Sequence, residues 1–116
     1  MRRTRPSAPV SPWWQTPAGI RLLERVSRGL DSPLRLRVLA ALAAGERNVT
    51  TLTRLVHCPP SWMSKHLAVL RALGLVERRT EGNLRYYRLA AHEPAAQAVR
   101  ALLLELTHHV GPSDHG

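Results

Sequence analysis

Ser61-Trp62-Met63-Ser64-Lys65-His66-Leu67-Ala68-Val69-Leu70-Arg71-Ala72-Leu73-Gly74 is the stretch that decides the fold. Met63, Leu67, Leu70 and Leu73 recur at three- and four-residue spacing, so a helix here carries one apolar face. Ser61, Trp62, Ser64, Lys65 and Arg71 are left for the opposite side. Ser61 stands where an N-cap belongs and Gly74 where a helix ends. Immediately upstream lies Cys58-Pro59-Pro60. Proline lacks the amide proton and disfavours the α conformation of its predecessor, so an earlier helix must stop there. That earlier helix carries Leu52, Leu55 and Val56, with Asn48 or Thr50 as its cap. A helix, a tight break and a helix closed by glycine predict a helix-turn-helix.

Beyond Gly74 the apolar period switches to two. Leu75-Val76-Glu77-Arg78-Arg79 and Leu84-Arg85-Tyr86-Tyr87-Arg88-Leu89 read as strands around a Glu81-Gly82-Asn83 turn. A last helix opens at Glu93-Pro94, carries Ala95, Val99, Leu102, Leu103, Leu106 and Val110, and ends at Gly111-Pro112. On the N-terminal side, Ile20, Leu23, Val26 and Leu30 share one face of a first helix ended by Gly29 and Asp31. Ser32-Pro33 then supplies a cap and a first-turn proline for a second helix with Leu36, Leu39 and Leu42, stopping at Gly45.

The expected fold is mainly α with a small antiparallel β-hairpin: four helices, two strands and a fifth helix, the order of a winged helix-turn-helix. Residues 17–110 form that domain. Residues 1–16 read as a flexible basic, proline-rich tail, and 111–116 as a flexible C-terminal tail. Trp13 and Trp14 are the tail's two candidate anchors onto the domain.

Composition narrows the function. The chain has 116 residues, 17 Lys+Arg against 8 Asp+Glu, and a formal net charge of +9. A surplus of this size points to a polyanionic partner, nucleic acid ahead of an anionic membrane surface. No apolar run approaches the ~20 residues that span a bilayer. The N-terminus lacks the apolar core of a secretory signal, so a cytoplasmic location is expected. Cys58 is the single cysteine, which leaves no intramolecular disulfide. No glycine-rich phosphate loop, nucleophile motif, paired carboxylates or His-Glu-x-x-His occurs, so an enzyme is not expected.

Three segments together resemble the ArsR/SmtB family of bacterial regulators. They are Arg35-Leu36-Arg37-Val38-Leu39, the Ser61–Leu70 segment followed by Gly74-Leu75-Val76, and Gly82 with Arg85-Tyr86-Tyr87-Arg88-Leu89. The resemblance covers roughly residues 17–110. It implies a homodimer that binds a palindromic double-stranded DNA operator, commonly as a repressor, and is modulated by a metal ion or another effector. The N-terminal side chains of a recognition helix reach base edges in the major groove. Ser61, Trp62, Ser64 and Lys65 are therefore the candidate base contacts, with Arg71 beside them. His66 stands at the family's histidine position, either on a phosphate or packed inside. Trp62 replaces the small polar residue common there, and either stacks on a sugar or meets a thymine methyl. Arg78, Arg79, Arg85 and Arg88 are the candidate phosphate contacts of the wing, split between faces by strand alternation. One of Tyr86 and Tyr87 belongs to the core.

In this family the first and last helices form the dimer contact, which assigns Ile20, Leu23, Val26, Val99, Leu102, Leu103 and Leu106 to the interface. The effector is less determined. Val49-Thr50-Thr51 stands where soft-metal sensors carry Cys-x-Cys, so that thiol site is absent. The alternative family site lies on the last helix. As the resemblance implies, that site is shared between two subunits. Glu105 and His108 are three residues apart and His109 four from Glu105. His92 and Glu93 near the helix start complete the site across an antiparallel interface, and Asp114 and His115 beyond the helix end add ligands. Imidazole and carboxylate suit Ni(II) or Zn(II). Pro94 occupies a place where a ligand is expected. The competing expectation is a metal-independent DNA-binding protein controlled by a partner protein or acting constitutively.

Overall fold

The computed structural model describes residues 12–110. Five helices run as α1 (Pro17–Leu30), α2 (Pro33–Ala43), α3 (Val49–Val56), α4 (Pro60–Ala72) and α5 (Pro94–Val110). Three strands, β1 (Arg47–Asn48), β2 (Val76–Glu81) and β3 (Leu84–Leu89), form an antiparallel sheet in the order β1-β3-β2. This is the winged helix-turn-helix expected from the sequence, with one strand more. β1 is only two residues long, too short for a periodic signal, and it pairs Arg47 with Tyr87 and Asn48 with Tyr86.

Local signals set most element boundaries. Ser32 accepts from the Arg35 amide at 3.3 Å and Pro33 opens α2, as expected. Asn48, not Thr50, caps α3, accepting from the Thr51 amide at 2.8 Å. α3 ends in His57, whose φ of 60° and ψ of 55° place a non-glycine residue in the left-handed region. Its amide donates to the Thr53 carbonyl at 2.9 Å, the bond of a left-handed helix cap. Ser61 does not cap α4. The helix begins at Pro60, and the N-cap is Pro59, two residues before Ser61 and without a side-chain bond. Proline at the first position is preset for the helix and has no orphan amide. The hairpin turn is the two-residue Gly82-Asn83, with Gly82 at φ 61°, and β2 extends through Glu81.

Before α1, Trp13–Gln15 form a 3-10 turn, so the expected tail of 1–16 is already ordered at its C-terminal end. Thr16 donates to the Trp13 carbonyl at 2.8 Å and accepts from the Gly19 amide at 2.9 Å. Gly19 is required there, since a Cβ would sit 1.8 Å from the Trp13 carbonyl oxygen. The expectations for the rest of the basic tail, residues 1–11, and for 111–116 fall outside the described residues.

The core joins Val38, Leu39 and Leu42 of α2 to Leu52 and Val56 of α3, and Met63, Leu67 and Leu70 of α4. Leu75, Tyr87, Leu89, Ala95, Ala96 and Val99 close it. Truncating one of these leucines to alanine is worth about 2–5 kcal/mol of stability. Leu36 and Leu55 are exposed, contrary to the sequence reading, and Val38 takes the place given to Leu36. α2 is packed by α1, α3, α4 and α5, and so buries a face that the 3.6-residue period alone does not locate.

Candidate nucleic-acid interface

α4 presents two faces. Met63, Leu67 and Leu70 are buried within the helix, and Leu73 at its C-cap follows them inward. Ser61, Trp62, Ser64, Lys65, Ala68 and Arg71 face outward. The helix, PSWMSKHLAVLRA, contains no Asp or Glu. A polar side without carboxylates meets a polyanion without repulsion.

The wing lies beside this face. Strand register sorts its side chains: Val76 opposes Leu89, Arg78 opposes Tyr87, and Thr80 opposes Arg85. These six share one side of the sheet, since side chains at alternate positions point the same way. Their apolar members close the core, and their basic members continue the same side toward the tip. Arg78 and Arg85 thereby line one groove with Ser64 and Arg71 of α4 and with Asn48, Thr50 and Asn83. The other side carries Glu77, Arg79, Glu81, Tyr86 and Arg88.

On that second side the arginines are paired within the subunit. Arg88 Nε donates to Glu77 Oε1 at 2.6 Å. Arg79 donates to both oxygens of Glu46, at 2.7 and 3.2 Å, and to Glu81 at 2.6 Å. Its guanidinium carbon lies 4.5 Å from the centre of the Tyr86 ring. The hydrogen bond from Arg79 holds the Glu46 carboxyl below its usual range, against a smaller opposing effect of desolvation. The four wing arginines of the sequence reading thus divide into Arg78 and Arg85 on the α4 side, and Arg79 and Arg88 in ion pairs behind it. Tyr87 is the core tyrosine, and Tyr86 is half-buried beneath Arg79.

His66 is half-buried on the edge of α4 that also carries Trp62, away from the wing groove. Its Nδ1 lies 3.5 Å from Arg35 Nη1, a long contact. Arginine is always a donor, so this nitrogen accepts and the neutral ring carries its proton on Nε2. Burial, and then the charge of Arg35, pull the imidazole below its ordinary pKa. Arg35 Nη2 also donates to the Arg28 carbonyl at 2.8 Å, tying the end of α1 to the same point. Neither Arg35 nor Glu46 stands out as a functional residue in the sequence. Glu46 has no local signal, because its partner lies 33 residues away.

The residues assigned to a subunit interface separate into two groups. Ile20, Leu23, Leu102 and Leu106 are exposed. Val99 is fully buried, while Val26 and Leu103 are half-buried against the subunit's own core. Val99 is thus corrected to a core residue, because it packs in one cluster with Val38, Leu39, Ala95 and Ala96.

The proposed metal ligands do not converge within one subunit. His109 Nε2 lies 3.2 Å from Glu105 Oε2. His108 is exposed on the neighbouring position, and Glu93 pairs with Arg25 at 3.9 Å. His92 and Glu93 precede α5, whereas Glu105 lies in its C-terminal third. At the rise of an α-helix that is a separation of about 18 Å, which no single metal ion spans. Among the described residues no three His, Cys, Asp or Glu side chains group as a metal site.

A helix-turn-helix with an acid-free outer face, flanked by a basic β-wing, defines a winged helix-turn-helix domain of the kind carried by transcriptional regulators. The family model described as "Bacterial regulatory protein, arsR family" matches residues 32–78. The chain is 35% identical over 94 residues to the transcriptional regulator KmtR of Mycobacterium tuberculosis, covering 78% of this chain and 68% of that one. It is 32% identical over 84 residues to the repressor SmtB of the same organism, covering 72% and 58%. Against another M. tuberculosis regulator, Rv0324, it spans only 31% of that protein's length. The homodimeric winged helix-turn-helix DNA-binding domain of Mb0332 from Mycobacterium bovis superposes with a TM-score of 0.67 at 31% identity, covering 85% of this chain and 91% of that one. The chain belongs to the ArsR family. Family and fold are those of non-catalytic DNA-binding transcriptional regulators.

Proposed function

We propose that the chain forms a homodimer that binds a double-stranded DNA operator and represses transcription from it in the cytoplasm. The observation that carries this is the shared groove: Ser64 and Arg71 of α4 with Arg78 and Arg85 of the wing, on one side of the subunit. Ser61, Trp62, Ser64 and Lys65 enter the major groove, and Arg71, Arg78 and Arg85 neutralise phosphates. Ile20, Leu23, Leu102 and Leu106 leave apolar surface exposed on α1 and α5, and a second copy covers it. Mb0332 is described as homodimeric, which supports the same arrangement here. Two-fold symmetry sets the two α4 helices about 34–36 Å apart, one turn of DNA. No helix among the described residues is long and apolar enough to cross a membrane.

Ni(II) or Zn(II) modulation has the family resemblance and the Glu105–His109 pair in its favour. Two donors in one subunit fall short of the three or four protein ligands that zinc takes. The described residues of one subunit do not by themselves fit a resident metal. Control by a partner protein is the metal-independent form of the proposal. Operator binding measured with and without Ni(II) and Zn(II) separates the two forms.

The test of the proposal is selection of duplex DNA from a random library, followed by a salt titration on the enriched sequence. A dimer neutralising six to ten phosphates loses about 10³–10⁵-fold in affinity between 50 and 200 mM salt. A slope near zero overturns the proposal.

A further inference from the structure

The outer face of α4 is unusual in what it offers to bases. Ser61, Ser64 and Lys65 are its hydrogen-bonding side chains on the N-terminal half, and Trp62 stands among them with 57% of its surface exposed. Its successor Met63 is fully buried, so the helix is fixed in rotation and the indole cannot turn inward. Val69 is exposed two turns further on, and its seven-residue offset from Trp62 puts both on one edge. That edge lies away from Ser64 and Arg71, which line the wing groove. Pro59 and Pro60 fix the backbone just ahead of Trp62. The tryptophan is therefore a large apolar group on the rigid first turn of a helix that carries Lys65 and Arg71 but no carboxylate.

Apolar side chains in the major groove have one complementary group on the bases, the C5-methyl of thymine. We infer that Trp62 is a specificity-determining residue that packs on a thymine methyl in each operator half-site. The inference rests on the DNA-binding proposal and refines it. The polar line of Ser61, Ser64 and Lys65 addresses neighbouring base edges, while the indole distinguishes thymine from cytosine by shape and hydrophobicity. Contact with a deoxyribose instead would carry no such preference.

The experiment uses the full-length protein and the duplex enriched in selection. Each thymine of a half-site is replaced in turn by deoxyuridine, which removes the methyl and leaves the base-pairing edge intact. Affinity should fall at one thymine per half-site, by about four-fold for each methyl buried. With Trp62→Ala, overall affinity should drop while that position becomes indifferent to the replacement. Trp62→Phe should keep part of the sensitivity. If no thymine is more sensitive in the natural protein than in Trp62→Ala, the inference is overturned. The same holds if Trp62→Ala weakens binding while deoxyuridine has no effect in the natural protein, the signature of a sugar contact. Enrichment of no sequence at all overturns the regulator proposal, and this inference with it.

Discussion

Arg79 on β2 and Glu46 in the turn before β1 are joined by two hydrogen bonds, Nη2 to Oε1 at 2.7 Å and Nε to Oε2 at 3.2 Å. A planar guanidinium on both oxygens of a carboxylate fixes direction as well as distance. The pair anchors the back of the wing to the segment that leads into α3. Arg79 also contacts Glu81 and the Tyr86 ring, so one side chain spans both strands.

Glu46→Gln should therefore loosen the wing. Charge alone predicts the opposite effect on DNA affinity, because a negative group is removed from a protein that binds a polyanion. The expected outcome is weaker operator binding together with faster amide exchange in β2 and β3. Tighter binding with unchanged exchange would show that the pair does not orient the wing.

Arg78 and Arg85 should carry salt dependence that Arg79 and Arg88 do not. Alanine at either of the first two should reduce the slope of log affinity against log salt by about 0.9 for each phosphate it leaves unneutralised. Alanine at Arg88, which is held by Glu77 at 2.6 Å, should change the slope far less. Equal slopes for all four variants would contradict the division of the wing into a free and a paired side.

Stability should fall in mild acid because of His66. Burial and Arg35 lower its pKa in the folded protein, whereas the unfolded chain titrates near the ordinary value of about 6.5. Below that pH the unfolded state binds more protons, so stability declines until pH passes the folded value. Denaturant midpoints between pH 7.5 and 5 read this loss. His66→Gln, which keeps an acceptor for Arg35 but cannot be protonated, should flatten the profile. A profile unchanged by the substitution would place the acid sensitivity elsewhere.

His57→Gly should stabilise the protein by about 1 kcal/mol or less, because a residue with a Cβ is strained in the left-handed region. A higher urea midpoint with an unchanged slope is the expected reading. A lower midpoint would mean that the imidazole contributes contacts worth more than the strain.

Much of this is legible along the chain. Met63, Leu67, Leu70 and Leu73 place the buried side of α4 without any coordinates, because one helix period sorts its own side chains. Pro33, Pro60 and Gly82 mark boundaries because each imposes or permits a backbone geometry that its neighbours do not. Ser61 resembles a cap and is not one for a local reason: two prolines in succession let the helix start two residues earlier. The thiol-free Val49-Thr50-Thr51 segment departs from the Cys-x-Cys that the family resemblance leads one to expect of a soft-metal sensor.

The sequence by itself determined the order of the five helices and the two wing strands, the polar and apolar sides of α4, and the surplus of positive charge. These depend on covalent chemistry and on periods of two to four residues. Only the tertiary structure decided which arginines are ion-paired among the described residues. Arg78 and Arg79 are neighbours with the same charge, yet one lines the groove with Ser64 and the other is bound to Glu46. It also decided that Val99 is core while Leu102 and Leu106 are exposed, although all three belong to one apolar stripe on α5. Pairings across 33 residues and the depth to which each turn of a helix is buried are set by packing, which no local period encodes.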